Sequence, residues 1–266
     1  APVLAKGGRG RPAKVLGPKV VRYGLDAPQH PGDFGLVVDD GMAWLVRARE
    51  LDDTLKRRND EDDQIHLQRL MPADALRIRG RHNAVNALAA LALAGTAGCS
   101  LAPMLFGLRE YRGEPHRVEP VGVLQDVEFF DDSKGTNVGA TVAALNGLGA
   151  DRSVVVILGG EGKGQDFSPL VQPVTRFARA AVLIGRDAPL IRSALGSIGV
   201  PLLDAASMPE AVRIASQRAH AGDAVLMSPA CASFDMFDNY EHRAAAFRGG
   251  VIQLADEAGV QLEGAS

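Results

Sequence analysis

Cysteine is scarce: Cys99 and Cys231 are the only two in 266 residues, and they form no CxxC pair. That excludes a disulfide framework and a thiolate zinc site. The six histidines show no HExxH or similar ligand spacing, so a histidine-built metal centre is not read either. Long apolar runs are missing. The longest, the Ala/Leu run near 87–94, falls well short of the roughly 20 residues of a transmembrane helix. No basic segment followed by an apolar one opens the chain, so no secretory signal is read. The formal net charge of −3 gives no general attraction to nucleic acid. What is present is a hydrophobic content of 46%, enough for a real core in one large domain or two modest ones. The expectation is a soluble cytoplasmic protein with no membrane insertion.

The chain starts Ala1-Pro2-Val3-Leu4 and runs at once into the basic stretch Lys6-Gly7-Gly8-Arg9-Gly10-Arg11. Removal of an initiator methionine, a mobile tail, and loss of the true beginning all fit. A strand is expected over 19–25. A hairpin follows over 34–48, because Asp40-Gly41 favours the tight reverse turn, with Trp44 in the core. Residues 50–63 mix both charge signs densely and read as a solvated loop, with a docking segment as the alternative. Another short strand is expected at 76–79. From Ala87 to Ala97 the sequence is a strong helix former, with Asn83 as its cap and Gly98 at its C-terminal end. Asn83 and Asn86, three apart, share a helix face. A second helix has Pro103 in its first turn and ends near Gly113, the expected domain boundary.

Beyond Glu114 the pattern alternates. Segments 117–123 and 127–130 read as an antiparallel pair. Strands at 154–158, 181–184, 201–203 and 224–227 alternate with helices at 137–148, 168–179, 188–196 and 209–220, and a long last helix starts near Phe234. Regular alternation predicts an α/β fold, a doubly wound, mostly parallel Rossmann-like sheet. Such sheets bind ligands beyond the carboxyl ends of their strands.

Three polar turns are expected along that edge: Asp132-Ser133-Lys134-Gly135-Thr136-Asn137, Gly159-Gly160-Glu161-Gly162-Lys163-Gly164 and Ser228-Pro229-Ala230-Cys231-Ala232-Ser233. The second is not a Walker A loop, since Ile157 stands where the first glycine belongs and Gly164 follows the lysine. Nor is it GxGxxG, because Gln165 holds the last position. Its glycines therefore mean close backbone approach, and Lys163 is either a point charge for an anion or a solvated lysine. Ser233 reads as the cap of the last helix, a role compatible with ligand contact. Cys231, among small residues and with no histidine near it in sequence, reads as a buried inert thiol. His116 is structural or catalytic, and Arg117 is a surface residue or a phosphate binder.

Together, Gly80-Arg81-His82-Asn83-Ala84-Val85-Asn86, Pro115-His116-Arg117, the Asp132 turn, Leu158 to Lys163 followed by Asp166-Phe167-Ser168-Pro169-Leu170, and Ser228 to Asp235 resemble the Mur ligase family over about residues 19–260. The last three motifs match its D-glutamate-adding branch and differ from the sister ligases and folylpolyglutamate synthase. The resemblance implies an ATP-dependent amide ligase of cytoplasmic peptidoglycan synthesis. It would activate UDP-N-acetylmuramoyl-L-alanine as an acyl phosphate and couple it to D-glutamate, using ATP and Mg2+. It implies catalytic roles for Lys134 and Lys163. Thr136, Lys163, Ser233, Phe234 and Tyr240 would contact D-glutamate, Asn83 and Asn86 the adenine, Asp132 the ribose and Arg117 the phosphates.

Gly135, Glu161, Phe234 and Tyr240 depart from the family's usual residues; the Phe234 contact would run through its backbone. The family's phosphate loop, magnesium ligands and modified lysine have no counterpart here and would lie upstream. Residues 1–113 would then be the back part of a central ATP-binding α/β domain, and 114–266 the C-terminal domain that binds the amino acid. The enzyme would be monomeric, and this chain alone inactive. The alternative is a non-catalytic amino-acid or nucleotide binding module derived from such a ligase. A nucleotide-dependent oxidoreductase has only the α/β pattern behind it.

Overall fold

The computed structural model describes residues 20–50, 65–78, 80–150 and 152–262. The chain divides into two compact units, one of residues up to Ala75 with Ala84–Arg109, the other of Leu76–Asn83 with residues from Glu110 onward.

The first unit holds an antiparallel sheet of β1 (Phe34–Asp39), β2 (Met42–Glu50) and β3 (Ile65–Pro72), and most of helices α1 (Arg81–Thr96) and α2 (Leu101–Glu110). The β1–β2 hairpin forms where Asp-Gly predicts it. Asp40 and Gly41 both take positive φ, 49° and 78°, the backbone of a two-residue turn whose twist matches the strands. Trp44 is only half-buried, its ring facing the Arg69 guanidinium at 5.3 Å, while its neighbours Leu45 and Val46 form the core.

Several expectations fail here. The strand over 19–25 is a single bridge between Tyr23 and Phe34, and Lys19 lies outside the described residues, as does nearly all of the charged loop. Leu76–Ile78 is a bend, not a strand. The third strand is β3, which among the described residues pairs with β2 alone and is mostly half-buried. Asn83 is the third residue of α1, not its cap.

The second unit is a six-stranded sheet in the order β4 (Glu119–Leu124), β5 (Val127–Asp131), β9 (Ala224–Met227), β6 (Val154–Gly159), β7 (Ala178–Ile184), β8 (Leu202–Ala205). Only β4 runs antiparallel; β5 through β8 are parallel in register. Every residue of β6 and of β9 is buried, as parallel strands covered on both faces require. Val154, Val156, Leu158 and Leu226 pack on one face against α3 (Val138–Leu148), α4 (Val171–Phe177) and α5 (Ala188–Leu195). Val155, Ile157, Val225 and Met227 pack on the other against α6 (Met208–Arg218) and α7 (Tyr240–Glu257). The fold is therefore the doubly wound α/β sheet expected.

Two boundaries differ. The segment expected to be helical over 168–179 is a 3-10 turn at Ser168–Leu170 followed by the short α4, and β7 begins already at Ala178. Helix α7 starts at Tyr240, six residues after Phe234. Its cap is Asn239, whose side chain accepts from His242 N. Phe234 to Asp238 instead form a turn in which Met236 N and Phe237 N both donate to the Ser233 carbonyl. No helix of the described residues is long and apolar enough to cross a membrane.

Candidate functional site

Chain order separates the three polar turns by up to a hundred residues; strand order makes them neighbours. Because β9 inserts between β5 and β6, the turns after these strands stand side by side at one sheet edge. Backbone hydrogen bonds join them. Asp132 N donates to Met227 O at 2.9 Å, Gly159 N to Pro229 O at 2.8 Å, and Glu161 and Ala232 exchange both their N–H···O bonds at 2.9 Å. Gly160 permits that approach: a Cβ there would stand 2.3 Å from the Ala232 carbonyl oxygen. Lys163 and Ala230, neither a glycine, hold left-handed φ of 54° and 59°, the kind of local strain that clusters at sites.

A buried polar network lies beneath. Asp132 is turned inward, one carboxylate oxygen accepting from Val118 N at 3.2 Å and the other from the Ser228 hydroxyl at 2.6 Å. Val118 is β-branched yet sits at φ 48°, so this carboxylate helps to hold a strained turn. Burial pushes the Asp132 carboxyl up to about 6, against the Ser228 and Val118 hydrogen bonds. Thr141 of α3 donates to the Ser228 carbonyl at 3.2 Å. Arg243 of α7, only 1% exposed, donates to the carbonyls of Cys231 at 3.0 Å and Ser133 at 2.9 Å. Burial lowers its pKa to about 10, with Asp235, Asp131 and Asp132 among the groups opposing that, so it stays charged at neutral pH and clamps the first turn to the third. Burial pushes the Cys231 thiol up to about 12, which fits the inert reading.

Above this network the exposed groups gather. Lys134 faces the Tyr240 ring at 5.4 Å, and Lys163 faces the Phe234 ring at 5.5 Å. Tyr240 also meets His116 edge-on at 5.7 Å. Thr136 is half-buried, Arg117 exposed, Ser233 buried. Ser233 does not cap α7; it anchors the turn leading to it. Asn83 and Asn86 stand three apart on α1, half-buried and exposed respectively.

His116, Glu119 and Asp131 cluster closely enough to hold a cation. They do not fit Mg2+, because Arg248 already pairs with Glu119 and lies 3.5 Å from Asp131, and His116 Nδ1 lies 2.8 Å from Asp131. Burial pushes the Glu119 carboxyl up, but the His116 N–H and Arg248 outweigh it and hold it low.

Sequence reading missed Arg243, Ser228 as a bridge, Asp187 and Gln165. Arg243 left a signal: it shares the buried stripe of α7 with Ala244, Phe247 and Val251, where a cation needs partners. Asp187 accepts from Gly162 N at 2.6 Å, a contact between distant turns that no local pattern shows.

The model of the Mur ligase glutamate ligase domain matches residues 116–231. The chain is 70% identical to the UDP-N-acetylmuramoylalanine–D-glutamate ligase of Albidiferax ferrireducens over 246 residues, 92% of this chain and 49% of that protein. It is 70% identical to the enzyme of the same name from Polaromonas sp. over 256 residues, 94% of this chain and 44% of that one. The chain is thus similar to Mur ligases over most of its own length, and residues 116–231 match their glutamate ligase domain. It spans about half the length of the curated relatives it matches. Solved structures agree on the Mur ligase fold. The MurC of Thermotoga maritima superposes with a TM-score of 0.57 at 18% identity, over 88% of this chain and 48% of that one. The folylpolyglutamate synthase of Mycobacterium tuberculosis, complexed with ADP, gives 0.53 at 16%, over 80% and 47%.

Proposed function

We propose that this chain is part of the MurD-type ligase that couples D-glutamate to UDP-N-acetylmuramoyl-L-alanine at the cost of ATP. The observation that carries this is the sheet edge itself: two exposed lysines, Lys134 and Lys163, each beside an aromatic ring, over three interlocked turns. D-glutamate brings two carboxylates and one amine. Lys163 and Thr136 would take one carboxylate, and the Ser233–Phe234 turn the other through its hydroxyl and backbone N–H, with Tyr240 closing the pocket. Lys134 would offset the negative charge that grows as the amine attacks the acyl phosphate. Holding both reactants in attack geometry supplies much of such a rate.

Arg117 would take phosphates, and Asn83 and Asn86 adenine. Both oxygens of Asp132 are already engaged, so a ribose hydroxyl would share or displace the Ser228 contact. Residues 1–113 would be the back part of the ATP-binding domain and 114–266 the amino-acid domain of a monomeric cytoplasmic enzyme. The magnesium ligands would lie upstream, because the described acidic cluster does not fit the ion. The test is phosphate release by the full-length protein given ATP, magnesium and UDP-N-acetylmuramoyl-L-alanine. Release with D-glutamate and not L-glutamate supports the ligase; none with either leaves a binding module.

A further inference from the structure

One side chain ties the third turn to the start of α3, directly after the first turn. Gln165, on the β6 turn two residues after Lys163, donates from Nε2 to the Ala230 carbonyl at 2.6 Å. Its Oε1 accepts from the Val138 backbone N–H at 3.0 Å. Val138 opens α3, two residues after Thr136; Ala230 lies three residues before Ser233 and holds left-handed φ. An amide is the group this position needs, since it must donate on one side and accept on the other. A carboxylate would meet the Ala230 carbonyl with like charge, and a shorter or apolar side chain would leave both partners unmet.

We infer that Gln165 is a positioning residue for the amino-acid substrate. It fixes the spacing among Thr136, Lys163 and Ser233 without touching the ligand. This rests on the ligase reading above. The bonded atoms are backbone atoms of the third turn and of the first residue of α3, so loosening them shifts the groups assigned to D-glutamate. Those assigned to adenine are on α1, where neither of these two hydrogen bonds goes.

The test uses the full-length ligase with Gln165→Met, which keeps the volume and loses both hydrogen bonds, and Gln165→Glu, which keeps the acceptor to Val138 N. KM is measured separately for D-glutamate, ATP and UDP-N-acetylmuramoyl-L-alanine. Loss of two ordinary hydrogen bonds predicts that Gln165→Met raises KM for D-glutamate about tenfold. The other two KM values should stay within about twofold, and Gln165→Glu, which keeps one bond but meets the Ala230 carbonyl with like charge, should give a rise of the same selectivity. An unchanged KM for D-glutamate, or equal rises for all three substrates, overturns the inference. If Gln165→Met does not yield folded protein, the selectivity of Gln165→Glu decides alone. A wild-type protein with no D-glutamate-dependent phosphate release overturns the ligase reading itself, and this inference with it.

Discussion

Asp132 spends most of its surface inside the fold, and its titration should be visible in stability. Its carboxyl goes from an ordinary 3.8 to about 6 on folding. The folded chain therefore binds this proton more tightly than the unfolded one. Stability falls as pH rises from about 4 to about 6 and stays lower above, by about 2–3 kcal/mol from this group alone. Asp132→Asn keeps the acceptor for Val118 N, and the Ser228 hydroxyl can turn to accept from the new amide. The variant should melt higher than wild type near pH 8 and lose that advantage near pH 4.5. An advantage equal at both pH values would refute it. Lys163 is the contrasting case, exposed, with its ammonium over the Phe234 ring. Removing one charge-assisted contact costs roughly 1.5–3 kcal/mol. Lys163→Ala in the full-length enzyme should thus raise KM for D-glutamate roughly 10- to 100-fold with little change for ATP. A raised KM for ATP beside an unchanged one for D-glutamate would sink the assignment.

At the scale of elements, the joined turns after β6 and β9 depend on Gly160. An added methyl would stand 2.3 Å from the Ala232 oxygen, at a φ of 130° that side chains rarely adopt. Gly160→Ala should destabilise by more than about 2 kcal/mol, against near-neutrality at the exposed Gly249, where a Cβ meets nothing. Equal melting of the two variants would mean the turns part easily. What sequence showed of these elements followed local physics. The Asp40-Gly41 hairpin, the continuous apolar β6 and the βα alternation each carry their signal within a few residues. Helix α7 misled because Phe234, Met236 and Phe237 imitate a helical apolar run, whereas the cap that decides its start is Asn239. Strand β3 was missed because a strand that is mostly half-buried, with one buried residue at Met71, has no sharp alternation. The site was legible as three turns along one sheet edge, but not in which of them touch. Which turns touch is fixed by β9 slotting between β5 and β6, a fact of pairing that neither neighbour's sequence encodes. Gln165 shows this best: in sequence it was only the residue that spoiled a glycine pattern.

For the whole molecule, binding and turnover should separate. The turns proposed for D-glutamate belong to one compact unit, built around its own sheet, with a buried clamp in Arg243 and a bridging amide in Gln165. Making an acyl phosphate asks for more: donors that wrap a triphosphate, and a site for its magnesium. The sequence contains no GxxxxGK[ST] loop, and the acidic cluster of the described residues is neutralised by Arg248. A ligase lacking such groups would form no mixed anhydride however Lys134 and Lys163 were arranged, because the phosphoryl step is positioning and charge neutralisation throughout. The 266-residue chain by itself should therefore release no phosphate from ATP in the presence of both substrates. It should still bind D-glutamate weakly, by a heat signal that Lys163→Ala abolishes. Substrate-dependent phosphate release by this chain would show that its own residues hold the triphosphate. Absent turnover and absent binding together would mean that the amino-acid pocket also needs the other half of a full-length ligase.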